Sequence, residues 1–319
     1  MPKPPAPRKK SAKRKKKSTD LLLPIAIWAF LVITLAALFY FIFLRPHTSP
    51  NLKKTAGSIH RETPLHFEEP DTSVAIIEPP KKIAVPPKTN TIQKKDAPRP
   101  ELPLIAIVID DMGFRKKFGA QFINLDLNLS FAFLPYGPYS ASQANDAGLA
   151  GRDVLLHLPM EPTSTQWDPG PGALLLSMSK KDIHDRVKRD LAAIPMAIGI
   201  NNHMGSRFTQ NREAMHDFLE IVQQKDLFFL DSMTSHNSVG YYVAQKMGIK
   251  SGKRNVFLDN ERDKTKIKQQ LQTLLKLAEK KGWAIGIGHP YEETLAAITD
   301  YRSTLQDQAK IVNIHKLMH

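Results

Sequence analysis

Leu104-Ile-Ala-Ile-Val-Ile-Asp-Asp-Met-Gly113 is a short apolar run that ends abruptly in two adjacent carboxylates and a glycine. Bounded by Pro103 and Gly113, it reads as a strand buried on both faces, the kind found in parallel sheets, with Asp110 and Asp111 where its carboxyl end meets a loop. That end of the sheet is where α/β enzymes place their chemistry. Two neighbouring carboxylates are costly unless a cation, a proton or hydrogen bonds compensate them, so a metal site is the first reading. An Asp capping the following helix is the plainer alternative.

Working outward, the pattern repeats. Apolar runs at 104–109, 129–134, 153–156, 196–200, 227–230, 254–258, 283–288 and 310–314 read as strands, and the segments between them mostly show helical spacing. In one such segment Ser179 and Asp182 form a capping-box pattern. Ile183, Val187, Leu191 and Ile194 then make one apolar stripe before Pro195. Arg262 to Lys281 carries Ile267, Leu271, Leu274, Leu275 and Ala278 and stops at Gly282. Strands alternating with helices imply a parallel sheet, either doubly wound or a (β/α) barrel.

Polar residues decide between these. Nearly every run ends in an unusual signature: Asp110-Asp111, Pro135-Tyr-Gly137, His157-Leu-Pro-Met-Glu161, Asn201-Asn-His-Met-Gly-Ser206, Asp231-Ser232, Asp259-Asn260, His289-Pro-Tyr291 and His315. A doubly wound sheet concentrates its site at one switch point, whereas a barrel collects residues from all its strand ends, so a barrel is expected. Neither a Gly-x-Gly-x-x-Gly nor a Walker loop follows any strand, which argues against nucleotide binding. His157, His203 and His289 each follow an apolar run directly, where an imidazole can ligate a cation or exchange a proton. Taken with Asp110 and Asp111 they make a metal-dependent site the expectation. His236 and His315 are weaker rim candidates, and His184 and His216 fall within helices. No Gly-x-Ser-x-Gly elbow occurs, so Ser206 and Ser232 read as hydrogen-bonding residues rather than nucleophiles.

Five motifs, IAIVIDDMG, LLHLPMEP, NNHMGSRF, FFLDSMTS and AIGIGHPY, together resemble the divergent polysaccharide deacetylases, a branch of the NodB-like carbohydrate esterases, over residues 102–315. The resemblance implies a distorted (β/α) barrel and metal-dependent removal of acetyl groups from N-acetylated sugars. It implies that Asp110 is the general base and Asp111 a metal ligand. Gly151-Arg-Asp-Val-Leu-Leu-His157 is similar to the family's His-x-x-x-His ligand motif, but the fourth residue onward is Glu161. His203 is the preferred third ligand and Glu161 the alternative. Gly288-His289-Pro290 is similar to the late motif whose His is the general acid, and Arg207 and Asp231 resemble the residues that orient base and acid. The implied cofactor is a divalent metal of the Zn type, which polarises the acetamide carbonyl and acidifies a bound water. Tyr136, Trp167 and Tyr291 are candidates to stack on a sugar ring, although Trp167 can instead pack beneath the loop Asp168-Pro-Gly-Pro-Gly172.

Composition and charge organise the rest of the chain. The 319 residues contain no cysteine, which excludes disulfides, thiolate metal sites and a Cys nucleophile. The net charge of +14 suggests nucleic acid until it is divided along the chain. Residues 1–20 hold nine Lys/Arg against one Asp, residues 45–100 ten against six acids, and residues 101–319 a nearly balanced 26 against 24. A nucleic-acid partner is therefore not expected. Leu21 to Leu44 is free of charge, and at helical rise it spans about 36 Å, more than the roughly 30 Å hydrocarbon core. It reads as an uncleaved transmembrane signal anchor, bulky to its end at Phe39-Tyr-Phe-Ile-Phe43 rather than closing on a small-x-small cleavage site. The basic residues 1–20 keep the N-terminus cytoplasmic and send the remainder across. Residues 45–100, rich in Pro, Lys and Glu, read as a disordered or polyproline-like linker reaching at most about 170 Å.

The expected organisation is thus a basic tail (1–20), an inner-membrane anchor (21–44), a linker (45–100) and a deacetylase-like domain (101–319) on the periplasmic side. The expected function is deacetylation of an envelope polysaccharide such as peptidoglycan. Two other readings stand beside it: a catalytically inactive module of the same fold that binds glycan or an envelope protein, and an energy-transducing tether. The tether accounts for the first hundred residues but not for the polar strand ends.

Overall fold

Nine residues of the opening stretch form the first strand, β1, Leu104–Met112. The computed structural model describes residues 101–319; the basic tail, the expected membrane span 21–44 and the linker 45–100 lie outside the described residues. Among the described residues no helix is long and apolar enough to cross a membrane.

From β1 the chain alternates as its patterning requires. Helix α1 (Lys116–Ile123) leads to β2 (Ser130–Phe133), and α2 (Ser140–Leu149) leads to β3 (Val154–Met160). A long loop follows before α3 (Lys180–Ala193), β4 (Gly199–Met204), α4 (Arg212–Gln224) and β5 (Phe228–Asp231). Then come α5 (Gly240–Lys246), two short strands β6 (Ser251–Lys253) and β7 (Val256–Phe257), α6 (Lys264–Lys281), β8 (Trp283–Gly288), α7 (Glu292–Gln308) and β9 (Lys310–Ile311). The capping box at α3 is formed: the Ser179 hydroxyl accepts from the Asp182 backbone N–H, and the Asp182 carboxylate accepts from that of Ser179. Helix α6 starts two residues later than the sequence pattern implies, because the Asp263 carboxylate accepts from the N–H groups of Thr265 and Lys266. It ends at Gly282, whose φ of 86° supplies the left-handed turn.

Every strand pairing is parallel, in the order β6-β5-β4-β3-β2-β1-β8-β7, with β9 beside the first residues of β1. The sheet curls into a barrel that stays open. Its two ends, β6 and β7, are consecutive in the chain, and the intervening residues cross the seam. Arg254 N donates to the Asp231 carbonyl at 3.0 Å, and Asn255 N to that of Ile285 at 2.9 Å. Of the expected run at 254–258 only Val256–Phe257 is therefore strand; its first two residues cross the opening, and β6 on the other side of it lies just before the expected run.

Both faces of the sheet are buried. Ile105, Ile107 and Ile109 point outward into the layer between sheet and helices, while Ala106, Val108, Ala132, Leu155, Leu230, Ile285 and Ile287 fill the interior. The expected strand at 310–314 is shorter for a physical reason. Val312, Ile314, Leu317 and Met318 turn under the barrel and plug its amino-terminal mouth. Gly252 makes room for that plug, since a Cβ there would lie 2.4 Å from the Met318 methyl.

Candidate active site

Alternation along a strand sends successive side chains to opposite faces, so the residues sharing the parity of Ala106 and Val108 face inward. Asp110 has that parity on β1, as does His157 beyond Leu155 on β3. On β8 the same holds for His289, which follows Ile287. Asp111 has the wrong parity and is brought back by the backbone. Between Ile109 and Met112 the register against β2 slips by one residue, a bulge, and Asp111 adopts φ 52°. A non-glycine residue held in the left-handed region is uncommon and recurs at functional sites. Here it places both carboxylates on one side.

Three side chains then converge. Asp111 Oδ1 lies 3.1 Å from His157 Nε2 and 3.0 Å from His203 Nδ1, and the two imidazole nitrogens are 3.2 Å apart. All three residues are buried. Burial works to raise the pKa of Asp111, but the neighbouring charge of His203, hydrogen bonds from His157 and His203 and the charge of His289 outweigh it. The carboxyl is held well below the usual carboxylate range. Its second oxygen, Oδ2, is buried and meets no hydrogen-bond donor among the described residues. Such a triangle is stable only around positive charge, whether protons on the imidazoles or a cation. Two nitrogens and one carboxylate oxygen are a donor set that suits zinc with a fourth position left open. The residues present therefore fit a divalent metal.

Asp110 and His289 flank this triangle, on adjacent strands whose last paired residues are Ile109 and Gly288. The Asn201 amide donates to both Asp110 oxygens, at 2.8 and 2.9 Å, and to Ser232 Oγ at 3.2 Å, while its carbonyl oxygen lies 2.9 Å from His157 Nδ1. His289 Nδ1 lies 2.9 Å from Asp259 Oδ1; the other Asp259 oxygen accepts from His289 N and from Thr294 Oγ1, both at 2.6 Å. The rings of Phe257 and Tyr291 both pack against the His289 ring, at 5.4 and 5.6 Å. This imidazole is fixed on one edge and walled by aromatic rings.

Several sequence expectations are corrected by these contacts. Arg207, expected to orient the base, is half-exposed and donates to Glu161 Oε1 at 2.8 Å. Asn201 holds the base instead. Asp231, expected to orient the acid, shares the outward parity of Phe229. Its carboxylate accepts from Met233 N, Ser238 Oγ and Tyr241 N, pinning the loop into α5. Asp259 has the place beside His289. Glu161, the alternative ligand, is taken up by Arg207 and by Leu176 N at 2.6 Å, so it ties down the loop after β3 rather than joining the triangle. His315 sits at the opposite end of the barrel, paired with Asp153 at 2.7 Å. Of the aromatic candidates, Tyr136 is partly exposed at the rim, Tyr291 lies under the Arg262 guanidinium at 4.0 Å, and Trp167 is half-buried in the long loop. Ser206 and Ser232 are engaged in hydrogen bonds, as expected: Ser206 Oγ accepts from Thr163 N, and Ser232 Oγ accepts from Asn201.

Comparisons with known proteins agree with this architecture. Residues 107–318 match the family described as divergent polysaccharide deacetylase. An uncharacterized protein of Haemophilus influenzae is 36% identical over 213 residues, covering 67% of this chain and 76% of its own. The uncharacterized protein YibQ of Escherichia coli K12 is 34% identical over 215 residues, 67% of each chain. Among solved structures, an uncharacterized protein of Agrobacterium tumefaciens C58 superposes with a TM-score of 0.66 at 27% identity, over 70% of this chain and 92% of that one.

Proposed function

The chain belongs to the divergent polysaccharide deacetylase family, and on that premise we propose that its domain 101–319 hydrolyses N-acetyl groups of an envelope polysaccharide such as peptidoglycan. The observation that carries the reading is the buried Asp111–His157–His203 triangle lying between Asp110 and His289 at the strand ends. Asp111, His157 and His203 would hold a divalent cation, zinc by donor type, whose chemistry when bound is to polarise the acetamide carbonyl and acidify a water.

The chain's own residues supply the proton traffic. Asp110, aimed by Asn201, takes a proton from the attacking water as the new C–O bond forms. His289 gives a proton to the sugar nitrogen as the C–N bond breaks, so that acetate and a free amine leave. The Asp259 carboxylate on Nδ1 stabilises the imidazolium form of His289 and leaves Nε2 as the atom that delivers the proton. Residues 21–44 anchor the protein in the inner membrane with residues 1–20 in the cytoplasm, and residues 45–100 act as the tether that carries the domain into the periplasm.

Acetate release from acetylated glycan oligomers tests this. Asp110→Asn and His289→Ala are each expected to lower the rate by about 10²–10⁴-fold, the usual worth of a positioned acid or base. The proposal is sunk if both variants hydrolyse as the wild type does. Glycan binding without any acetate release by the wild type would make the domain a binding module.

A further inference from the structure

Asn201 is a neutral side chain that touches both Asp110 and the ligand His157. Its orientation follows from its neighbours. The atom 2.8 and 2.9 Å from the Asp110 oxygens must be the amide nitrogen, because a carboxylate only accepts. The carbonyl oxygen therefore faces His157 Nδ1 at 2.9 Å and can only accept a proton from it. With Nδ1 committed as a donor, His157 turns Nε2 towards Asp111 Oδ1 and His203 Nδ1. Strand pairing makes this arrangement rigid, since β3 and β4 place His157 directly beside Asn201.

We propose that Asn201 is a positioning residue that sets the tautomer of His157, and hence its metal-binding nitrogen, while aiming the Asp110 carboxylate with the same amide group. The proposal rests on the metal-site reading above and deepens it. Groups that orient a ligating imidazole are typically worth about 10–100-fold in metal affinity. Most such groups are carboxylates or backbone carbonyls; an amide can also donate backwards, which couples the ligand to the general base through a single side chain.

The test uses the full-length chain, with zinc affinity measured by competition against a chromophoric chelator. Two charge-matched variants separate positioning from structure. Asn201→Leu keeps the branched four-atom shape of the side chain but removes the acceptor, and is expected to weaken zinc binding by about 10–100-fold. The double variant Asp110→Asn with Asn201→Asp reverses the polarity of the pair but preserves an acceptor for His157, and is expected to restore affinity towards that of the wild type. Equal affinity in Asn201→Leu and wild type overturns the proposal, and so does a double variant as weak as Asn201→Leu. A second readout is independent of metal. In zinc-free protein above neutral pH, ¹⁵N-edited NMR should show a slowly exchanging proton on His157 Nδ1 that is lost in Asn201→Leu. Absence of that proton from the wild type, or its persistence unchanged in the variant, also overturns the proposal. Should the wild type bind no zinc, the metal reading fails by itself, and the Nδ1 proton still decides whether Asn201 governs His157.

Discussion

Asp190 shows what a single buried group contributes. It lies on α3 with no exposed surface, accepts the Tyr136 hydroxyl at 2.5 Å through Oδ1, and keeps Oδ2 away from any donor among the described residues. Burial pushes its pKa up to about 6, against the lowering effects of the Tyr136 hydrogen bond and of Arg186 and Arg189. An unfolded Asp titrates near 3.9, so the folded state binds this proton more tightly than the unfolded state does. The stability it contributes is fully present below about 4 and is lost as pH rises through about 6. Asp190→Asn removes the titration. Urea midpoints measured from acid to neutral pH should therefore rise for the variant relative to wild type as pH increases, most steeply between about 4 and 6. Parallel curves for the two proteins would show that Asp190 is not the group responsible. Gly172 is part of the same arrangement: a Cβ there would come within 2.7 Å of the Tyr136 ring and 3.1 Å of Asp190, which seats the Pro-Gly loop against the pair.

Strands and helices account for what could be read from sequence and what could not. The apolar runs, their helical spacers and the polar strand ends were legible because a buried parallel strand must be apolar on both faces and can place polar groups only where it stops. The inward group Asp110, His157, His203 and His289 follows from that logic. Choosing Asp231 and Arg207 failed on parity: Asp231 is in phase with outward Phe229, and Arg207 lies past the end of β4. Applied to β4 and to the run ending at Asp259, the same parity points to Asn201 and Asp259. Asp111 could not be placed that way, because its orientation depends on a bulge and a positive φ that only the paired strands reveal. The capping box at α3 was legible from Ser179 and Asp182 alone, and it carries its own prediction. Ser179→Ala removes a side-chain acceptor from the first turn, and should cost about 1 kcal/mol in the free energy of unfolding without altering zinc affinity, since no residue of the triangle lies on α3. Denaturant titration of the variant checks the first part and chelator competition the second.

At the scale of the whole domain, the two ends of the barrel have opposite tasks. The carboxyl end concentrates buried charge around Asp111, and buried charge is stable only if the strands that carry it cannot move apart. An open sheet with a seam between β6 and β7 lacks the closure that would ensure this, and the C-terminal segment supplies part of it from below. Its four apolar side chains fill the interior, and Ser251 of β6 exchanges backbone hydrogen bonds with His319 at 2.9 and 3.3 Å. Asp153, just before β3, accepts from His315 N at 2.8 Å, so the same segment joins the edge strand β6 to β3 in the middle of the sheet. Each large buried side chain contributes about 1.5–3 kcal/mol, and the four together rival the 5–15 kcal/mol by which a whole domain is stable. Removal of residues 312–319 is therefore expected to abolish cooperative folding. Leu317→Ala, a milder cut at the plug, should cost about 2–5 kcal/mol. Because the C-terminal segment is bonded to β1 through Val312 and beside β3 through His315, strands that also carry Asp111 and His157, but shares no side chain with the triangle, folded Leu317→Ala protein should bind zinc with near wild-type affinity at low temperature and lose it together with its tertiary circular dichroism on heating. Zinc affinity that falls while the fold remains intact would mean that the plug sets the geometry of the site directly, and not merely the stability of the barrel that carries it.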